Sequence, residues 1–255
     1  MSTRLELIAL EGLPRIVPGD DLADLIAAAL AANALTLREG DVLVLAQKIV
    51  SKAEGRYRRL VEVEPGPAAV ELAAQAQKDP RLVELILAES REVLRVRAGV
   101  IIVEHRNGYV HANAGIDRSN IHNTPDDPQV LLLPLDCDAS AAALRASLLR
   151  LCGCAPQVII NDSAGRAWRN GTVGIALGSA GLDPLFNQVG GQDLFGNRLE
   201  VTEAAVADEL AAAASLLMGQ AAEGLPVVLV RGARLRPAAG GCGALLRPRE
   251  LDLFR

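Results

Sequence analysis

Between Gly19 and Ala34 the apolar residues Leu22, Leu25, Ile26, Ala29 and Leu30 recur at helical spacing behind Asp20 and Asp21, which suit a helix N-terminus. The spacing predicts an amphipathic helix. The run Asp41-Val42-Leu43-Val44-Leu45-Ala46 follows a Glu39-Gly40 turn and is short, apolar and rich in β-branched residues, as a buried strand is; it delivers Gln47 and Lys48 to its end. Helical patterns return around Pro67 to Gln77 and Pro80 to Glu89, each with proline near its start, where the missing N–H costs least. Strands are expected from Glu92 to Glu104. Arg106-Asn107-Gly108 then separates Val100–Val103 from Tyr109–His111, and Asn-Gly between apolar runs is a strong hairpin signal.

Ser119 to Pro128 has no periodicity and is rich in turn formers, so it reads as a loop. A helix from about Ser140 to Leu151 precedes the strand Val158-Ile159-Ile160, which ends in the polar group Asn161-Asp162-Ser163. A strand over Thr172–Leu177, a helix over about Glu203–Met218 with Thr202 as N-cap, and a strand over Pro226–Arg231 complete the pattern. This irregular alternation predicts an α+β fold with mixed, largely antiparallel sheets and packed helices. No glycine-rich Walker loop is present, and a Rossmann nucleotide fold is not expected. A chain of 255 residues lies near the size at which one core divides into two, so residues 1–255 are expected to form one unit of one or two intimately connected parts.

Composition narrows the partners. The net charge of −5 argues against a broad electrostatic footprint on nucleic acid or anionic lipid, and 2% aromatic residues leave little for stacking on single strands. No apolar run approaches the roughly 20 residues that cross a bilayer. Met1-Ser2-Thr3-Arg4-Leu5-Glu6 shows no apolar signal core behind a basic start, so a cytoplasmic protein is expected. Cys137, Cys152, Cys154 and Cys242 lack paired CxxC spacing and read as reduced, structural thiols. With three histidines in the chain and no HxH or HxxxH pair, His105 and His111 also read as structural.

Three stretches carry groups that could do chemistry. In His111 to Asn120, a strand enters a small-residue turn presenting Asp117 and Asn120; a carboxylate suits Mg²⁺ or Mn²⁺, although Asp and Asn after glycine also serve simply as turn residues. In Asn161 to Arg166, Asp162 and Ser163 could ligate divalent ions while Arg166 meets an anion bidentately; a capping turn with a surface arginine is the other reading. In Gln47 to Arg56, Lys48 and Lys52 could neutralise phosphate charge or be ordinary surface cations.

In order, Leu13-Pro14-Arg15-Ile16, Gln47–Gly55, Ala112–Asn120, Asn161–Arg166, Gly196 with Thr202-Glu203, and Ala207–Leu210 through Glu223–Val228 resemble the coenzyme F420-0:gamma-glutamyl ligase family over nearly the whole chain. The resemblance implies a GTP-dependent ligase that adds L-glutamate to F420-0 and F420-1 through an acyl phosphate. It also implies Mg²⁺ or Mn²⁺, with K⁺ as a possible monovalent partner, and a homodimer. Carried over by position, Asp117, Asp162, Ser163 and Gln220 correspond to metal ligands, and Asp117, Asp162 and Arg166 to catalytic groups. Leu13, Pro14, Arg15, Ile16, Gln47, Lys48, Lys52, Asn120 and the turn Gly219-Gln220-Ala221-Ala222-Glu223-Gly224 correspond to nucleotide contacts. Gln220 stands where the family pattern leads one to expect glutamate, and Ser163 where threonine is frequent. A non-catalytic F420- or guanine-nucleotide-binding protein and a metal-dependent GTP phosphohydrolase are the alternatives on the same residues.

Overall fold

The computed structural model describes residues 4–254; Met1, Ser2 and Thr3, part of the stretch read for a leader, lie outside the described residues. The run predicted as a buried strand forms β2 (Val42–Ala46), with Val42 to Leu45 fully buried. It lies in a five-stranded sheet with β1 (Glu6–Ala9), β8 (Gln157–Arg166), β9 (Arg169–Ala180) and β12 (Val227–Arg231), in the order β1-β12-β2-β8-β9. Only β2 and β8 pair in parallel; the other three pairings are antiparallel. A sheet buried on both faces needs continuous apolar strands, which Val42-Leu43-Val44-Leu45 and Val227-Val228-Leu229-Val230 supply. Alternate residues serve opposite cores: Leu43 and Leu45 pack toward α1 (Leu22–Ala32) and α5 (Cys137–Cys152), whereas Val42 and Val44 pack toward α6 (Val206–Met218). Each such side chain contributes roughly 1.5–3 kcal/mol on burial.

A separate core gathers α3 (Pro67–Ala76), α4 (Pro80–Ala88) and the three-stranded antiparallel sheet of β4 (Ser90–Arg97), β5 (Val100–His105) and β6 (Val110–Ala112). The Asn107-Gly108 turn joins β5 to β6, as the sequence predicts, with Gly108 at φ +95°. Two ribbons complete the sheets: β3 (Tyr57–Arg59) with β7 (Gln129–Leu131), and β10 (Phe186–Asn187) with β11 (Glu203–Ala204). The architecture is the predicted α+β fold. Among the described residues, no helix is long and apolar enough to cross a membrane.

Several local expectations change. Helix α1 is capped by Asp21, whose side chain accepts from Ala23 and Asp24 N–H, while Asp20 instead accepts from Val17 N–H. Helix α5 begins at Cys137, three residues before the predicted start, because Asp136 caps Ala139 N–H. Gln47, delivered to the end of β2 as expected, opens a seven-residue helix, α2 (Gln47–Ala53). Thr202 is not an N-cap. Glu203 and Ala204 are drawn into the ribbon with β10, and α6 starts at Val206 without a side-chain cap. Cys152, expected to pack, is exposed; Cys137 and Cys242 are buried, and all four thiols are free.

The largest change concerns Asn161–Arg166. The expected turn is strand: β8 continues to Arg166, with irregular register at Ile160/Asn161 and at Gly165/Arg166, and β9 pairs alongside. Gly174 explains why β9 can lie there with α6 above it. A Cβ at Gly174 would fall 2.2 Å from Ser215 Oγ, 2.5 Å from Ala211 O and 2.6 Å from Asn161 Oδ1, so only glycine admits the close approach.

Candidate functional site

The parallel pairing aligns Ala46 with Asn161, so the C-terminal end of β2 brings Gln47 and Lys48 beside Asp162 and Ser163 in the middle of β8. Crevices beyond the carboxyl ends of parallel strands are common ligand sites. The third wall comes from the segment after β6. Asn113, Ala114 and Gly115 are successive residues with positive φ (51°, 55° and 65°), and Ala114, which bears a Cβ, is fully buried. Such conformations are costly and need support from surrounding packing. Asn113 Oδ1 supplies some by accepting from Ile101 N–H at 3.1 Å. At Gly115 a Cβ would meet Leu133 at 2.8 Å. The turn delivers Asp117, whose backbone N–H and C=O both bond Leu131 at 2.9 Å.

Asp117 is therefore fixed by its backbone, and its carboxylate is fixed as well. Gln47 Nε2 donates to Oδ2 at 2.6 Å, and Lys48 Nζ lies 3.1 Å from Oδ1. Lys48 also donates to Ser119 O and Oγ. Burial and the neighbouring Asp162 carboxylate push the Asp117 carboxyl up from its ordinary range, outweighing Lys48 and Gln47. Asp162 meets His111, with Nε2 3.2 Å from Oδ2. Burial disfavours the imidazolium, yet the Asp162 carboxylate, with the Ala112 carbonyl and Asp117, outweighs this and pushes His111 up. Lys52 is pulled below the usual lysine range by burial first and then by Lys48 and Arg15, against the pull of Asp117.

All of these groups except His111 face one cavity of about 990 Å³. Leu13 to Ile16, Gln47, Lys48, Lys52, Asp117, Asn120, Asp162, Ser163 and the turn 219–224 all line it, although they come from distant parts of the chain. Two hydrogen bonds tie its loop walls: Lys52 Nζ donates to Asn120 O at 2.7 Å, and Asn120 Nδ2 to Ala221 O at 2.8 Å. Within the turn, Glu223 folds back to accept from Ala221 N–H at 2.8 Å, and these backbone donors hold its carboxyl below the usual range. Arg166 is not brought to the cavity. It is exposed at the far end of β8, where Nη1 donates to Gly171 O across the β8–β9 hairpin.

His111 was passed over in the sequence because its contact is set by the β5–β6 register, which carries no local signature. Asn161 and Ser51 were also missed. Asn161 is buried and donates to Ser215 Oγ at 3.1 Å, tying β8 to α6 in the wall of the cavity. Among the described residues, no three His, Cys, Asp or Glu side chains gather to cage a metal. The available donors at Asp117, Asp162 and Ser163 are hard oxygens, two of them from crowded carboxylates. They fit a divalent cation such as Mg²⁺, which uses few protein carboxylates and completes its shell with water and phosphate oxygens.

Residues 12–232 match the sequence profile of the F420-0:gamma-glutamyl ligase family. The chain is 50% identical over 254 residues, 98% of its own length and 99% of the relative's, to the coenzyme F420:L-glutamate ligase of Methanothermobacter thermautotrophicus. It is 44% identical to the coenzyme F420:L-glutamate ligase of Methanopyrus kandleri and 41% to that of Methanocaldococcus jannaschii, in each case across 99% of this chain and 97% of the relative. With a profile match spanning the walls of the cavity and relatives aligned from end to end, the chain belongs to the F420-0:gamma-glutamyl ligase family.

Proposed function

We propose that this protein joins L-glutamate in amide linkage to coenzyme F420-0 and then to F420-1, with GTP as phosphoryl donor. The observation that carries the reading is the convergence of Asp117 and Asp162 with Lys48, Lys52 and Arg15 on one cavity, in a chain whose full-length relatives are named for F420:L-glutamate ligation. The acceptor carboxylate attacks the γ-phosphorus of GTP, giving an acyl phosphate and GDP. The amine of glutamate then attacks the acyl carbon, the C–O bond to phosphate breaks, and the amine loses a proton. Such transfers depend on positioning and charge neutralisation more than on a covalent protein nucleophile.

Lys48, Lys52 and Arg15 form the cationic side of the cavity. Burial first, and repulsion from Lys48 and Arg15 second, lower Lys52, and anionic phosphate among these cations would relieve the repulsion. Leu13 to Ile16, Asn120 and the turn 219–224 supply the remaining walls for the nucleotide. Asp117, Asp162 and Ser163 would hold Mg²⁺ or Mn²⁺, with Gln220 as a neutral carbonyl donor; when bound, such an ion neutralises phosphate charge. A homodimer remains part of the proposal, and a second copy would cover the apolar tip of the 186–204 arm, where Leu194 and Phe195 are exposed almost completely.

The test is incubation of purified protein with F420-0, L-glutamate, GTP and Mn²⁺, followed by mass spectrometry of the deazaflavin and assay of GDP. Glutamylated product with matching GDP is expected, and Asp162→Ala should abolish it while the thermal transition persists. GDP formed without either acceptor, and no glutamylated product, would refute the ligase in favour of a phosphohydrolase.

A further inference from the structure

Gln47 and Ser51 are polar side chains in an almost dry place, 2% and 0% exposed, one turn apart on α2. Ser51 Oγ donates to Gln47 Oε1 at 2.9 Å, and Gln47 Nε2 donates to Asp117 Oδ2 at 2.6 Å. An ionised carboxylate only accepts, so the amide nitrogen must face Asp117 and the amide oxygen must face Ser51. The reversed amide would set a carbonyl oxygen against a carboxylate. Lys48 occupies the other Asp117 oxygen, so successive residues of α2 hold both oxygens of one carboxylate. Gln47 differs from Lys48 in fixing direction without bringing charge. Its amide is thus engaged on both sides by protein, although its place in the cavity wall suggests a nucleotide contact by sequence.

We infer that Ser51 and Gln47 form a positioning relay that aims the Asp117 carboxylate, with Ser51 acting only through the amide of Gln47. The inference rests on the preceding reading of Asp117 as a holder of a divalent cation. Outer-shell partners that orient a ligand are commonly worth 10–100-fold in metal affinity. Ser51→Ala removes the hydroxyl while keeping a small side chain, and Gln47→Leu removes the amide at similar volume.

The experiment uses the full chain, Mn²⁺ titration followed by electron paramagnetic resonance, and ¹⁵N NMR of the metal-free protein. The Gln47 side-chain amide should exchange slowly with solvent in the parent and rapidly in Ser51→Ala. Mn²⁺ affinity should fall roughly tenfold in Ser51→Ala and up to about 100-fold in Gln47→Leu, with KM for L-glutamate unchanged. Equal Mn²⁺ affinity in parent and Ser51→Ala overturns the relay, as does a freely exchanging Gln47 amide in the parent. Failure of the parent to bind Mn²⁺ instead overturns the metal reading. In that case the NMR comparison still decides whether the relay holds Asp117.

Discussion

Glu89 offers the sharpest test of how the separate α3–α4 core is held to the cores of the large sheet. It follows α4, with its side chain 8% exposed, and its Oε2 lies 3.1 Å from Arg56 Nη2, 3.1 Å from Arg106 Nη2 and 3.7 Å from His105 Nε2. Arg56, just beyond α2, is itself buried and donates from Nε to Leu133 O at 2.8 Å. Glu89→Gln keeps the shape but leaves Arg56 and Arg106 without their shared counter-ion. Removing one partner from a buried ion pair costs about 3–5 kcal/mol. At this chain length about 2 °C accompanies each kcal/mol, so the thermal midpoint should fall by roughly 6–10 °C. Burial raises the Glu89 carboxyl, but His105, Arg106 and Arg56 together hold it below the ordinary range. Its stabilisation is therefore present above the unfolded-state value near ~4.3 and lost as pH falls through the folded value. The deficit of the variant should be full at pH 7 and shrink below about pH 4. Calorimetry of parent and variant across pH checks both statements. A midpoint within about 1 °C of the parent at pH 7 would show that the cluster does not join the cores.

Three further outcomes follow from the site. Asp117→Asn should raise the thermal midpoint near neutral pH while abolishing turnover. The raised Asp117 value means that the native carboxylate costs stability as pH climbs past its unfolded value near ~3.9, so the gain should vanish at lower pH in calorimetric scans. His111→Gln should be most destabilised, relative to parent, at pH below about 6, and the difference should narrow as pH rises through the raised folded value, because a raised imidazole contributes in its charged form. A deficit that does not vary with pH contradicts the His111–Asp162 pairing. Gly174→Ala should cost about 1–3 kcal/mol, since the added methyl meets the fixed Ala211 carbonyl as well as Ser215, and urea unfolding measures it directly.

What could be read from the chain was whatever local pattern decides. Val42 to Leu45 must be buried because no exposed surface tolerates four such residues in a row, and Asn107-Gly108 dictates its own turn. Asp117 and Asp162 read locally as turn residues as readily as ligands, and the family resemblance is what marks them out. The errors lie where partners distant in sequence decide. Asn161-Asp162-Ser163 is polar enough to suggest a turn, yet β9 and α6 hold it in strand, which carries Arg166 away from the cavity. Thr202 has the chemistry of an N-cap, but pairing of Glu203 and Ala204 with β10 postpones the helix. His111 meets Asp162 only after the small sheet docks against the large one, and Arg56 meets Glu89 in the same way.

The cavity has walls of unequal stiffness. Asp162 and Ser163 lie within a ladder paired on its outer side by β9, so they cannot move without breaking sheet hydrogen bonds. Asn120 and the turn 219–224 face each other across a latch, the single 2.8 Å hydrogen bond from Asn120 to the carbonyl of Ala221. An exposed bond of this kind contributes only about 1 kcal/mol net, so thermal motion alone parts it in roughly one molecule in six. The loop side is therefore the soft wall of the cavity, and the strand that carries Asp162 is the stiff one.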